Sequence, residues 1–218
     1  MSETPMTTQL YLISPLDVGG DLPQRLERAL EAGKSEDGNL IAAFQFRVKG
    51  VDQHEAARLA EPLQAICATY DCAFIVNDSV PLAKRLKADG VHLGQDDGDP
   101  QEAREQLGRD MQIGVTCHAS KHLAMEAGEA GADYVAFGAF FPSTTKDKGP
   151  DAERPSIETI QWWVKLFEIP VVAIGGITPN NCAPLVAAGT DFLAVSGGVW
   201  NGDEAAAVKA FAQVIESR

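Results

Sequence analysis

The sequence lacks any apolar run long enough to cross a bilayer, any CxxC pair and any surplus of basic charge. Each absence excludes a class of function. Without a run of about 20 apolar residues no membrane-spanning helix is expected. The opening MSETPMTTQL has neither the basic nor the apolar segment of a secretory signal. The four cysteines are Cys67, Cys72, Cys117 and Cys182. They read as small buried hydrophobes in a reducing compartment, not as a disulfide framework or zinc site, so a cytoplasmic location is expected. Lysine and arginine number 18 against 31 aspartates and glutamates, for a formal net charge of −13. The basic footprint of a nucleic-acid-binding protein is therefore missing, and neither nucleic acid nor membrane is an expected partner. A small anionic substrate would need a local cationic pocket in so acidic a chain. No GxGxxG follows the first β-rich run, and no nucleophile elbow is present.

The chain does have alternation. Short β-rich runs begin at Gln9, Leu40, Cys72, Gly90, Met111, Tyr134, Pro170 and Phe192. Amphipathic stretches such as LPQRLERALEAG, HEAARLAEPLQAICATY, SIETIQWWVKLFE and EAAAVKAFAQVIES lie between or after them. Such alternation predicts parallel strands joined by helical crossovers. Eight units within 218 residues predict a single-domain α/β fold, the closed (β/α)8 TIM barrel, over residues 9–218. A doubly wound open sheet is the runner-up, and residues 1–8 are expected to be a frayed or disordered N-terminus. The phrases ADG, GAD and GTD before three of the runs read as turns with glycine ending the preceding helix.

In such barrels the active site lies at the C-terminal ends of the strands. The polar residues fall there. Gln45, Arg47 and Lys49 alternate in AAFQFRVKG, which predicts one face of a buried strand. Two buried cations would require an anion, with a phosphate or diphosphate the best match. Asn77 and Asp78 end the third run, and His92, Gln95, Asp96 and Asp97 follow the fourth. Asp78 and Asp97 form a candidate Mg²⁺ pair, because that ion takes one or two carboxylates plus substrate oxygens. Helix capping is the competing role for Asp78. Thr116 and His118 end the fifth run, and Ser143, Thr144, Thr145 and Lys146 follow the sixth. Hydroxyls and a lysine suit phosphate oxygens. Gly175-Gly176 and Ser196-Gly197-Gly198 end the last two, where backbone amides can hold phosphate. His118 and His122 have the spacing of metal ligands on a helix but no evident third ligand, and read instead as a solvated helix start.

Taken together, QFRVK, ND, HLGQDD, GVTCH, GAFFPSTTK and IGGI resemble the motifs of the thiamine phosphate synthase family. The resemblance spans nearly the whole chain. It implies a transferase of thiamine biosynthesis that joins hydroxymethylpyrimidine diphosphate to hydroxyethylthiazole phosphate. The implied chemistry is a dissociative substitution with release of pyrophosphate. It further implies that Arg47, Lys49, Asn77 and Lys146 hold the diphosphate, with Arg47, Lys49 and Lys146 catalytic. Gln45 and Thr116 would contact the same substrate, and Asp78 and Asp97 would bind Mg²⁺. Ser143, Thr145, Gly176 and the backbone near Ser196 would hold the thiazole phosphate. The implied partners are these small molecules, with self-association left open. A thiazole tautomerase of the same superfamily, a non-catalytic binder of thiamine precursors and a sugar-phosphate or indole-precursor isomerase are the competing readings.

Overall fold

A computed structural model describes residues 8–36, 38–142 and 153–217. The strands are β1 (Gln9–Ile13), β2 (Lys34–Ser35), β3 (Gly38–Asn39), β4 (Ile41–Phe46), β5 (Ala73–Asn77), β6 (Gly90–Leu93), β7 (Gln112–His118), β8 (Tyr134–Gly138), β9 (Val171–Ile174) and β10 (Phe192–Val195). β1 and β4–β10 form a closed parallel barrel in the order β1-β10-β9-β8-β7-β6-β5-β4. The expected (β/α)8 fold is therefore present. Beside it, β2 and β3 form a short antiparallel hairpin that the alternation did not predict.

The helices are α1 (Leu22–Ala32), α2 (Gln53–Thr69), α3 (Val80–Leu86), α4 (Pro100–Leu107), α5 (Lys121–Glu129), α6 (Ile157–Leu166), α7 (Ala183–Ala187), α8 (Gly197–Trp200) and α9 (Glu204–Glu216). Local chemistry starts and stops them. Asp52 accepts from the amides of His54 and Glu55 to cap α2, and Ser79, Asp99, Ser120 and Asp203 do the same for α3, α4, α5 and α9. In α1 the buried residues are Leu22, Leu26, Ala29 and Leu30, one apolar stripe facing the barrel.

Strand alternation splits the core in two. Leu10, Leu12, Phe44, Phe46, Phe74 and Val91 point outward under the helices. Tyr11, Ile13, Ala43, Ile75, Tyr134, Ala136, Val172 and Ala194 fill the barrel interior. That interior pairs two tyrosines with three alanines, where branched aliphatic residues usually dominate.

The glycines of GAD and GTD make the expected turns, that of ADG does not, and the aspartates of all three phrases have a second role. Asp89, Asp133 and Asp191 each precede a strand and accept a backbone amide at the start of the adjacent strand: Phe74 at 2.7 Å, Ile113 at 2.6 Å and Val171 at 2.7 Å. The three carboxylates stitch the N-terminal end of the barrel. Gly131 and Gly189 follow their helices with φ of +89° and +90°, as expected. In ADG, however, Lys87 takes the left-handed position (φ +49°), and Gly90 lies inside β6. Thr8, placed in the expected frayed start, is buried and donates its hydroxyl to Thr190 O at 2.8 Å; residues 1–7 lie outside the described residues.

The first and last helices close the ring. Glu204 at the start of α9 is 4 % exposed and accepts from Arg25 at 3.0 Å and Arg28 at 2.6 Å on α1. Burial works against its ionisation, but the hydrogen bonds from Arg25, its own backbone and Arg28 outweigh it and hold the carboxyl below its usual value. A carboxyl depressed in this way stabilises the fold above its ordinary pKa of 4.5, and the contribution is lost as pH falls through the depressed value. Replacing Glu204 by alanine is expected to destabilise the protein by about 1–3 kcal/mol through loss of its charge-assisted hydrogen bonds, a cost kept moderate because the two partly exposed arginines regain water. Urea unfolding at pH 7 and at pH 3 checks this: the difference between variant and wild type should shrink at the lower pH.

Candidate active site

The C-terminal ends of the barrel strands gather the residues singled out in the sequence. β4 ends at Phe46, so only Gln45 of the alternating trio lies within the strand, and it is buried at 3 % exposure. Arg47 follows the strand half-buried and Lys49 is exposed. The expectation of two cations buried on a strand face is thus corrected. The chain leaves the sheet before the first cation, and both charges sit at the mouth, where hydration makes them inexpensive.

Ser14, just beyond β1, fixes how the chain leaves β4. The Arg47 amide donates to Ser14 Oγ at 2.9 Å, and the Ser14 hydroxyl donates to Arg47 O at 3.1 Å. The Ser14 amide donates to Gln45 O at 2.9 Å. Sequence reading missed this serine, since ISPLDVGG contains no recognisable motif.

Asn77 ends β5 and Asp78 follows with φ +65°. The Asp78 amide donates to His92 O at 2.8 Å across to β6. The N-cap of α3 is Ser79, whose Oγ accepts from Leu82 N at 3.3 Å. Asp97 lies in the exposed turn after β6, and its Oδ2 accepts from Gly94 N at 3.0 Å. β5 and β6 are neighbours, with Asn77 in register with His92. The two carboxylates therefore follow adjacent strand ends.

On β7, Thr116 is held at two atoms, from β6 and from the turn after it. His92 Nε2 lies 2.8 Å from its Oγ1, and Gln95 Nε2 donates to its carbonyl at 2.5 Å. His92 itself is buried, stacked on Tyr134 with ring centroids 5.6 Å apart. Its Nδ1 lies 3.1 Å from Tyr134 OH. Tyr134 OH and Tyr11 OH are 2.9 Å apart, and Gln45 Nε2 donates to Tyr11 OH at 2.9 Å. Burial pushes both phenols well above their ordinary pKa, so both remain protonated. Neither tyrosine stood out in the sequence, because each occupies an ordinary apolar strand pattern. His118 ends β7 instead of beginning a helix, and His122 pairs with Glu126 at 3.3 Å. The helical spacing considered for the two histidines is therefore absent.

Gly176 follows β9 with φ +63°, and a β-carbon there would collide with Pro142 O. Its own carbonyl accepts from Asn181 Nδ2 at 3.0 Å. Ser196 follows β10 and leads into α8, whose first amides, on Gly197 and Gly198, have no acceptor within so short a helix. Ser143, Thr144, Thr145 and Lys146 lie outside the described residues. A cleft of about 530 Å³ opens at the other end of the barrel beside Lys84, Lys87, Asp89 and Gln112, away from every residue expected in the site.

Two hard-oxygen donors on adjacent strand ends fit Mg²⁺, which completes its shell with water and substrate oxygens. Among the described residues no cluster of three or more potential ligands occurs.

Fold and rim together define a (β/α)8-barrel enzyme. Residues 10–199 match the family model described as thiamine monophosphate synthase, and the chain belongs to that family. It is 76 % identical to a thiamine-phosphate synthase of Erythrobacter litoralis, over 99 % of both chains. It is 47 % identical to one of Rhodospirillum centenum, over 95 % of this chain and 97 % of that one. Among solved structures, thiamine phosphate pyrophosphorylase from Pyrococcus furiosus superposes with a TM-score of 0.82 at 29 % identity, over 98 % of both chains.

Gly114 on β7 makes room for this site: a β-carbon there would overlap the Tyr134 ring. Gly114→Ala is expected to destabilise the protein by about 1–3 kcal/mol through overpacking, read as a lowered urea midpoint.

Proposed function

We propose that this chain joins hydroxymethylpyrimidine diphosphate to hydroxyethylthiazole phosphate, giving thiamine phosphate and pyrophosphate. The observation that carries the reading is the order of the strand ends. The cations after β4, the amide and carboxylate after β5 and the carboxylate after β6 follow three consecutive strands of the barrel. A diphosphate laid across them would meet Arg47, Lys49, Asn77 and, through Mg²⁺, Asp78 and Asp97. Names and identities of the relatives support the same activity over the full chain.

The substitution is dissociative. The C–O bond to diphosphate breaks first, the pyrimidine methylene becomes cationic, and the thiazole nitrogen supplies the electron pair of the new C–N bond. No protein nucleophile is required. Arg47 and Lys49, with Lys146, stabilise the charge growing on the departing oxygens. Bound at Asp78 and Asp97, Mg²⁺ would supply further positive charge to the same oxygens. The clamp of Ser14 on the Arg47 peptide sets the direction in which that side chain starts. Gln45 and Thr116 orient the pyrimidine. Gly176 and the amides after Ser196, with Ser143 and Thr145, receive the thiazole phosphate. A cytoplasmic location is supported by four buried, unbridged cysteines and by the lack, among the described residues, of a helix long and apolar enough to cross a membrane.

Purified protein, given both precursors and Mg²⁺, is expected to form thiamine phosphate and pyrophosphate in equal amounts, and chelation should stop it. Binding of the precursors without turnover would favour the non-catalytic alternative. Arg47→Ala is expected to reduce kcat by about 10²–10³ with the fold unchanged, the cost of losing one strong contact to developing charge. Wild-type turnover in that variant would remove Arg47 from the site.

A further inference from the structure

An unbroken line of side-chain hydrogen bonds crosses the barrel interior, through residues of five strands. It runs from Gln45 on β4 through Tyr11 on β1, Tyr134 on β8 and His92 on β6 to Thr116 on β7. The first four are buried, at 3, 4, 8 and 6 % exposure, and Thr116 stands half-buried toward the mouth. Such a line has a direction, because each phenol carries one proton. The Gln45 amide nitrogen can only donate, so Tyr11 OH accepts from it. Tyr11 OH and Tyr134 OH lie 2.9 Å apart, close enough for either to donate, and with Tyr11 accepting from Gln45 its proton is left for Tyr134. Tyr134, accepting from Tyr11, has its proton left for His92 Nδ1, 3.1 Å away, which accepts it in the tautomer with Nδ1 bare. A histidine that accepts at Nδ1 carries its proton at Nε2, and that proton points at Thr116 Oγ1, 2.8 Å away. Thr116 Oγ1 thus accepts from inside the barrel, and its own O–H is left to donate outward. Its backbone cannot turn away, since Gln95 holds the Thr116 carbonyl at 2.5 Å.

We propose that Tyr11, Tyr134 and His92 are positioning residues whose directed hydrogen bonds make Thr116 a hydrogen-bond donor toward the pyrimidine substrate. The assignment of that substrate rests on the function proposed above. The direction of the line does not. A donor at this point selects a ligand that presents a lone pair, such as a ring nitrogen, and disfavours one that presents N–H. Gly114 belongs to the same device, because only a residue without a side chain leaves space for the Tyr134 ring beside β7.

The test is the tautomer of His92, read by ¹⁵N NMR of histidine-labelled protein at pH 7 and assigned by loss of the signal in His92→Asn. The expected result is a neutral ring with Nε2 protonated and Nδ1 bare. A ring protonated at Nδ1 would overturn the proposal, because the line would then run the other way and Thr116 would donate inward. Tyr134→Phe should release His92 to a mixture of tautomers. It should also raise KM for the pyrimidine diphosphate about tenfold, the worth of one hydrogen bond, with KM for the thiazole phosphate unchanged. Equal changes in both constants, or none in either, would refute the positioning role. Tyr11→Phe cuts the line earlier and should scramble the same tautomer, so the proposal stays testable if Tyr134→Phe does not fold. Wild-type protein with the expected tautomer but no thiamine phosphate formation would sink the functional reading and leave the direction of the line standing.

Discussion

A hydroxyl inside a closed barrel must find a partner, and this requirement organises the structure. Tyr11 and Tyr134 put two phenols where similar barrels keep aliphatic side chains. Their bulk is accommodated by Ala43, Ala136, Ala194 and Gly114. Their polarity is met by Gln45 and His92, and among the described residues no buried side-chain nitrogen or oxygen lacks a partner. An unpaired phenol there would cost about 1–3 kcal/mol. Each member of the line therefore constrains the identity of the next. The consequence reaches the mouth, because the last member is a residue expected to touch substrate.

Charge is arranged on the opposite principle. The interior tolerates polar groups that are neutral and paired, while the cations of the rim remain hydrated. Arg47 and Lys49 leave the sheet before burial would penalise them, and Ser14 fixes the exit of the chain without touching the charge itself. Against a net charge of −13, a cationic rim attracts anions only at short range, since fields from distant exposed charges are screened beyond about 10 Å. Such a surface suits a compact diphosphate better than a polyanion.

Much of this was legible in the sequence. Eight β-rich runs alternating with amphipathic stretches predicted the barrel, and the polar residues at their ends predicted its working face. The strand end after Phe46 was not legible, because alternation continues through Arg47 and Lys49 after the hydrogen bonding has stopped. Tyr11 and Tyr134 were hidden for a related reason: period-2 spacing assigns a residue to a face but does not distinguish a barrel's interior from the layer beneath its helices. The glycine pattern of ADG, GAD and GTD masks the aspartates, whose backbone donors lie some 15 to 20 residues away in sequence. Lys87 in a left-handed conformation gave no sign of itself, since glycine is the usual occupant.

The two ends of the barrel carry different obligations. At the N-terminal end, Asp89, Asp133 and Asp191 spend their carboxylates on backbone amides, which serves strand register and leaves them unavailable to a ligand. At the C-terminal end, Asp78 precedes Ser79, which caps the next helix, and Asp97 accepts from Gly94 N in a local turn bond. The same residue type thus holds the scaffold at one end and stands at the mouth at the other. β7 joins the two, since Ile113 is held by Asp133 near its start and Thr116 by His92 and Gln95 near its finish. A displacement of that strand by one residue would turn Thr116 to the opposite face and remove Gly114 from beneath Tyr134. Register, cavity shape and the interior hydrogen bonds are therefore one constraint, carried by Ile113, Gly114 and Thr116.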